Sequence, residues 1–145
     1  MPLVEKLLVL AIAAQVLLTV VILLLMGRER VPRVMSGEIN PKDVAVERTA
    51  YPLKARLLSN NFDNQFQLPV LFYVAALLAL WAGGVSWFEV VLAWLFVLLR
   101  YAHAAIHVTT NRLHIRFAAY TAGLAVLAIL WLWLVLRLVF LAPDI

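Results

Sequence analysis

Arg100, His103 and His107 interrupt an otherwise apolar run of membrane length, and they recur at i, i+3 and i+7, one narrow stripe of a helix. A guanidinium can fix an anion, and imidazoles can hydrogen-bond, relay protons or ligate a metal. Two more polar stripes accompany this one. Asn60, Asp63 and Gln67 share one helical face earlier in the chain, and Arg112, Arg116 and Tyr120 share one just after it. Ionisable groups at membrane depth are costly, so they face a bundle interior or a wet cavity and point to function.

Several chemistries fit these residue types. Arg100 with Asp63 can be a structural intramembrane ion pair that fixes helix register, whose attraction desolvation largely offsets. His103 and His107, four residues apart, can share a metal, with Asp63 or His114 as the third ligand. Hydrogen-bonded histidines inside a bundle are the simpler alternative, and no metal site is expected. A proton relay through Asp63, His103 and His107 has no second polar station in the opposite leaflet. Glu89, about 16 Å of helix from Arg100, is expected at the interface, and Arg137 is expected to snorkel to the same surface.

The elements that must hold these stripes follow from composition. Of 145 residues, 66% are hydrophobic and 14% charged, whereas soluble domains are nearer half apolar and a quarter charged. Apolar side chains in this proportion cannot all be hidden in a soluble core, so the solvent is lipid. There is no cysteine, which removes disulfides, thiolate metal sites and a cysteine nucleophile. The formal net charge of +4 would suggest nucleic acid in a soluble protein. Here the basic residues flank apolar spans, so no nucleic-acid partner is expected.

The pattern predicts an all-α integral membrane protein, an antiparallel four-helix bundle forming a single domain over 1–145. Its helices are expected at about 3–26, 57–82, 87–109 and 114–141, the last ending at Ala142-Pro143-Asp144-Ile145. Within the connection 27–56, Asn40-Pro41 reads as the start of a short surface helix reaching about Thr49. In the second span Pro69 to Ala82 gives only about 21 Å of helix, so the amide-rich Ser59–Gln67 stretch must supply the rest of a ~30 Å crossing. Its amides and Asp63 are expected to turn into the bundle, with a kink at Pro69. Gly83-Gly84-Val85-Ser86 is a tight turn between antiparallel neighbours.

Seven of the twelve Lys and Arg residues lie in 27–56, and Arg112 and Arg116 lie at or beside the third connection. The positive-inside rule places 27–56 and 110–113 in the cytoplasm and both termini across the membrane. The three polar stripes then lie at one level near the cytoplasmic end.

At these residues the sequence resembles the MAPEG family, the membrane-associated proteins in eicosanoid and glutathione metabolism, and in particular the microsomal glutathione transferases. The family's Asn-x-x-Glu of the second helix is matched by Asn60-Asn61-Phe62-Asp63, followed by a Pro69-Val70-Leu71-Phe72 run. Its Arg-x-x-His is matched by Arg100-Tyr101-Ala102-His103, and its arginine four residues before a tyrosine by Arg116 and Tyr120. The likeness covers roughly Lys54 to Val139. Asp63 is one methylene shorter than the usual Glu, His107 stands where eicosanoid-forming members have tyrosine, and Phe117 replaces a serine.

This resemblance implies a homotrimer that binds glutathione as co-substrate between subunits, in a bacterial inner membrane or an endomembrane. It implies Arg116 beside the thiol as the catalytic residue that favours the thiolate. Arg100 would anchor a glutathione carboxylate, and Asn60 would hydrogen-bond the peptide. Asp63 would hold the ammonium group or Arg100, and Tyr120 would pack at the peptide. His103, His107 and Arg112 complete the expected binding set. The implied activity is thiolate transfer to a lipophilic electrophile arriving through membrane lipid, or reduction of a lipid hydroperoxide. The rival from another class is a non-catalytic membrane subunit or lipid-binding structural protein, in which the polar stripes only lock helices.

Overall fold

Apolar periodicity without interruption makes four helices long enough to cross a bilayer, of 33, 30, 22 and 29 residues counting the second as one span. The computed structural model describes residues 1–141; the expected end of the last span at 142–145 lies outside the described residues. In chain order the helices are α1 (Leu3–Met35), α2 (Leu53–Asn64), α3 (Leu68–Ala82), α4 (Trp87–Val108) and α5 (Leu113–Leu136). A five-residue π-turn, Arg137–Leu141, extends α5. The chain is thus an all-α, four-span bundle, with α2 and α3 together forming the second crossing.

The outward faces are leucine, valine, isoleucine and tryptophan. Leu24, Leu77, Trp81, Leu98 and Leu132 are each more than half exposed. An apolar surface this extensive suits a lipid environment. Inside, small residues let helices approach closely. Ala75, Ala76 and Ala79 of α3 and Ala93 of α4 are fully buried, and Phe72 stacks on Phe96 with ring centroids 4.9 Å apart. Leu8 and Ala11 of α1 and Leu127, Leu130 and Leu134 of α5 close this core. It fills the half of the bundle nearest the Gly83-Gly84 turn and leaves the arginine-rich half polar.

Three expectations are corrected here. First, α1 does not stop at Met26. It continues through Gly27 and Pro32 to Met35, because Glu29 pairs with both Arg33 (3.0 Å) and Lys54 (2.9 Å) and Arg30 lies over the Tyr51 ring at 4.6 Å. Helical charge pairs and a tertiary anchor carry the helix past its membrane length. Second, the surface helix after Asn40 is a single 3₁₀ turn, Pro41–Val44, in which the Asn40 side chain accepts from the Lys42 amide at 3.0 Å. Third, the kink at Pro69 is a full break. α2 ends at Asn64, Pro69 occupies the first turn of α3, and Gln65–Gln67 bridge them.

The far turn is held by charge. Gly83 and Gly84 take φ of 69° and 63°, values open to glycine without a Cβ penalty. Ser86 and Glu89 form a capping box at the start of α4. Glu89 is 0% exposed and pairs with Arg137 at 3.0 Å. Arg137 also donates to the Gly83 carbonyl at 2.7 Å, which ties the α3–α4 turn to the end of α5. Glu89→Gln keeps the shape and removes the charge. It should cost about 1–2 kcal/mol of stability, read as a lower midpoint in thermal unfolding of the detergent-solubilised protein.

Candidate functional site

The break before Pro69 frees the Asn64 carbonyl from the helical ladder, and Arg100 of α4 takes it, its Nη2 donating at 3.0 Å. Arg100 is 1% exposed, and its Nε and Nη1 have no partner. Its guanidinium lies 6.0 Å from the centre of the Tyr120 ring of α5. One helical turn on, the His103 ring lies 5.6 Å from both the His107 and Tyr120 rings, and His103 Nδ1 is buried without a partner.

These rings line an open cavity of about 380 Å³ at the arginine-rich end of the bundle. Asn60, Asn64 and Gln67 supply one wall, Arg116 and Tyr120 the other, and Leu113 and Phe117 form an apolar lip. The lip residues are 62% and 67% exposed, so the opening is flanked by surface suited to lipid. A polar pocket with an apolar margin accepts a ligand polar at one end and greasy at the other.

Of the residues singled out by sequence, Asn60, His103, His107, Arg116 and Tyr120 line this cavity, and Arg100 lies beside it. Two do not join. Arg112 is exposed and precedes the first turn of α5, so it contributes no wall. Asp63 is half exposed and pairs with Arg48 of the long connection, at 2.6 and 3.2 Å. The alternative of an Arg100–Asp63 ion pair is not formed: the guanidinium of Arg48 reaches Asp63 from the α1–α2 connection, while Arg100 turns to backbone. That contact with Asp63 raises the Arg48 pKa, so this cation stays charged.

The buried polar side chains of the second span are Asn61 of α2 and Gln65 just after it, not Asn60 and Asp63. Gln15 of α1, 0% exposed, donates to Gln65 at 3.0 Å; Gln65 donates to Asn61 at 2.9 Å; and the Asn61 amide nitrogen lies 3.3 Å from His107 Nδ1. The i, i+4 spacing of Asn61 and Gln65 was the available signal for this second stripe. Asn111 was missed as well. It holds the α4–α5 turn at φ 47°, a left-handed conformation that asparagine tolerates, and its Oδ1 accepts from Arg116 Nη1 at 2.5 Å. It thereby aims Arg116 along the cavity wall.

Electrostatically the site is one-sided. Among the described residues no acid lies within ion-pair distance of Arg100 or Arg116, and no three His, Asp or Glu side chains converge to hold a metal. Two unneutralised guanidiniums, one of them fully buried, favour an anion, because a buried charge without a partner is costly. The model of the MAPEG family matches residues 8–136 of the chain. No curated protein and no solved structure matches it.

Proposed function

The chain belongs to the MAPEG family, membrane proteins of glutathione and eicosanoid metabolism, and on that footing we propose that it is a glutathione-dependent membrane enzyme. The observation that carries the reading is the pair of cations without counter-ions, Arg100 and Arg116, at a cavity lined by amides and imidazoles. Glutathione brings two carboxylates, two peptide groups and a thiol, an acceptor-rich set that suits these donors. Arg100, with two free guanidinium nitrogens, anchors a carboxylate. Asn60, Asn64 and Gln67 hydrogen-bond the peptide, and Tyr120 packs against it.

Arg116 stands by the thiol. A fixed cation lowers a thiol pKa, so the thiol gives its proton to solvent and the thiolate is held ready. The sulfur lone pair then forms a C–S bond to an electrophilic carbon, whose leaving group departs with its electron pair. With a hydroperoxide, the thiolate attacks the outer oxygen, the O–O bond breaks, and the alkoxide takes a proton to leave as an alcohol. The sulfenic acid so formed condenses with a second glutathione to disulfide and water. The lipophilic partner enters over Leu113 and Phe117 from the bilayer. In the orientation we favour, the arginine-rich end faces the cytoplasm, where glutathione is supplied, and a homotrimer closes the open side of each cavity.

Millimolar glutathione should raise the thermal midpoint of the solubilised protein, and turnover of chlorodinitrobenzene should depend on it. Absence of both effects would favour a non-catalytic subunit. Asn111→Ala removes the aim of Arg116 without its charge, and should lower kcat about tenfold with little change in KM for glutathione, measured by steady-state kinetics.

A further inference from the structure

The buried amides Gln15, Gln65 and Asn61 contact no part of the cavity, yet they form a directed chain that ends on one of its walls. The direction of that chain is fixed by backbone. Gln65 Nε2 donates both to the Asn61 side-chain oxygen at 2.9 Å and to the Asn61 carbonyl at 3.3 Å. Reversing the Gln65 amide would set its oxygen against a carbonyl oxygen, so the nitrogen must face Asn61. The Asn61 oxygen is thereby occupied as an acceptor, and its NH₂ is the group left to face His107 Nδ1 at 3.3 Å. Gln15, donating to the Gln65 oxygen at 3.0 Å, holds the far end.

An amide NH₂ can only donate, so Nδ1 of His107 must accept, and the ring proton of the neutral imidazole then sits on Nε2. His107 lines the cavity, whereas Asn61, on its Nδ1 edge, does not. The edge left for the cavity is the one carrying Nε2. We infer that the Gln15–Gln65–Asn61 chain is a positioning device that locks His107 as a neutral Nε2–H donor, so that this wall of the pocket binds an acceptor, a carbonyl or carboxylate oxygen of the peptide ligand, and supplies no base. The inference rests on the proposed glutathione reading only for the identity of that ligand. The lock itself is a property of the free protein.

Conformational rigidity supports the assignment. All four side chains are at most 4% exposed, so water cannot stand in for any link, and each broken link would leave a buried polar group unpaired. The amides and His107 together join α1, α2 and α4, so the ring's setting is coupled to the packing of the bundle.

The test is the ¹⁵N spectrum of histidine-labelled, full-length protein in detergent, with His107 assigned by its loss in His107→Gln. The free protein should show His107 protonated at Nε2 and bare at Nδ1 at neutral pH. Asn61→Asp is nearly isosteric and replaces the donor by a carboxylate oxygen, so it should move the proton to Nδ1 or charge the ring. For the ligand, the amide nitrogen of Gln falls near Nε2 and that of Asn near Nδ1. His107→Gln should hold the glutathione Kd within about threefold, while His107→Asn should weaken it about tenfold. An Nδ1–H ring in the native protein, or no change in Asn61→Asp, overturns the lock. Equal losses in the Gln and Asn variants overturn the donor role. If glutathione does not bind although the Nε2–H signature is present, the functional reading fails and the lock stands.

Discussion

Arg116→Ala is expected to lower the rate of glutathione transfer at pH 7 by roughly tenfold to a hundredfold while leaving the glutathione Kd nearly unchanged. Arg116 lines the cavity, has no acid to neutralise it, and is aimed by Asn111. A thiol left to itself titrates near 8.5, so only a few per cent is thiolate at neutral pH. A cation within about 4–6 Å lowers that value by about 1–3 units, and a shift of about 1.5 units or more makes the anion the main form at pH 7. The sign for pH follows. Removing the cation raises the pKa of the bound thiol, so the acid limb of kcat/KM for the electrophile, at saturating glutathione, should move to higher pH by about one to two units, and the variant should regain most of its rate above that limb. Arg116→Lys keeps the charge but loses the planar fork that meets Asn111, so it should fall between the two. A variant with unchanged rate and an unmoved pH profile would remove Arg116 from the chemistry.

The layers of this protein were legible to different degrees, for physical reasons. Four spans follow from apolar length, and the Gly83-Gly84 turn follows from residues that alone take positive φ freely. The shared level of Asn60, Arg100, His103 and Arg116 follows from period and loop length. Rotation of α2 about its axis does not. Asn60 and Asn61 differ by about 100° on the wheel, and which of them turns inward is decided by partners distant in sequence. Gln15 and His107 draw Asn61 and Gln65 inward, while Arg48 draws Asp63 out. The same logic hid the length of α1, where Gly27-Arg28-Glu29-Arg30 looks like a stop. The ion pairs of Glu29 with Arg33 and Lys54 continue the helix, and the Lys54 pair reaches 25 residues along the chain. Patterns along one helix report its faces, and contacts between helices decide what each face meets.

Arg100→Leu should act with opposite signs on the free and the liganded protein. In the free protein a fully buried guanidinium holds only the Asn64 carbonyl, with Nε and Nη1 unpaired. Replacing it by an apolar side chain removes an unneutralised buried charge, whose desolvation costs several kcal/mol, and this offsets the roughly 1–3 kcal/mol lost by leaving the Asn64 carbonyl without its donor. The thermal midpoint without glutathione should therefore hold or rise. The glutathione Kd should weaken by about tenfold to a hundredfold, because a hydrogen bond to a charged group contributes about 1.5–3 kcal/mol. A ligand at a hundred times its Kd stabilises the protein that binds it by about 2.7 kcal/mol, so a concentration giving that gain natively should give far less in the variant. A helix-locking arginine behaves differently: its loss lowers the midpoint whether or not glutathione is present, and ligand affinity follows stability alone. Paired melting curves of the native and Arg100→Leu proteins, with and without glutathione, separate the two roles. Parallel shifts in both conditions would make Arg100 a structural strut and leave Arg116 as the sole cation of the site.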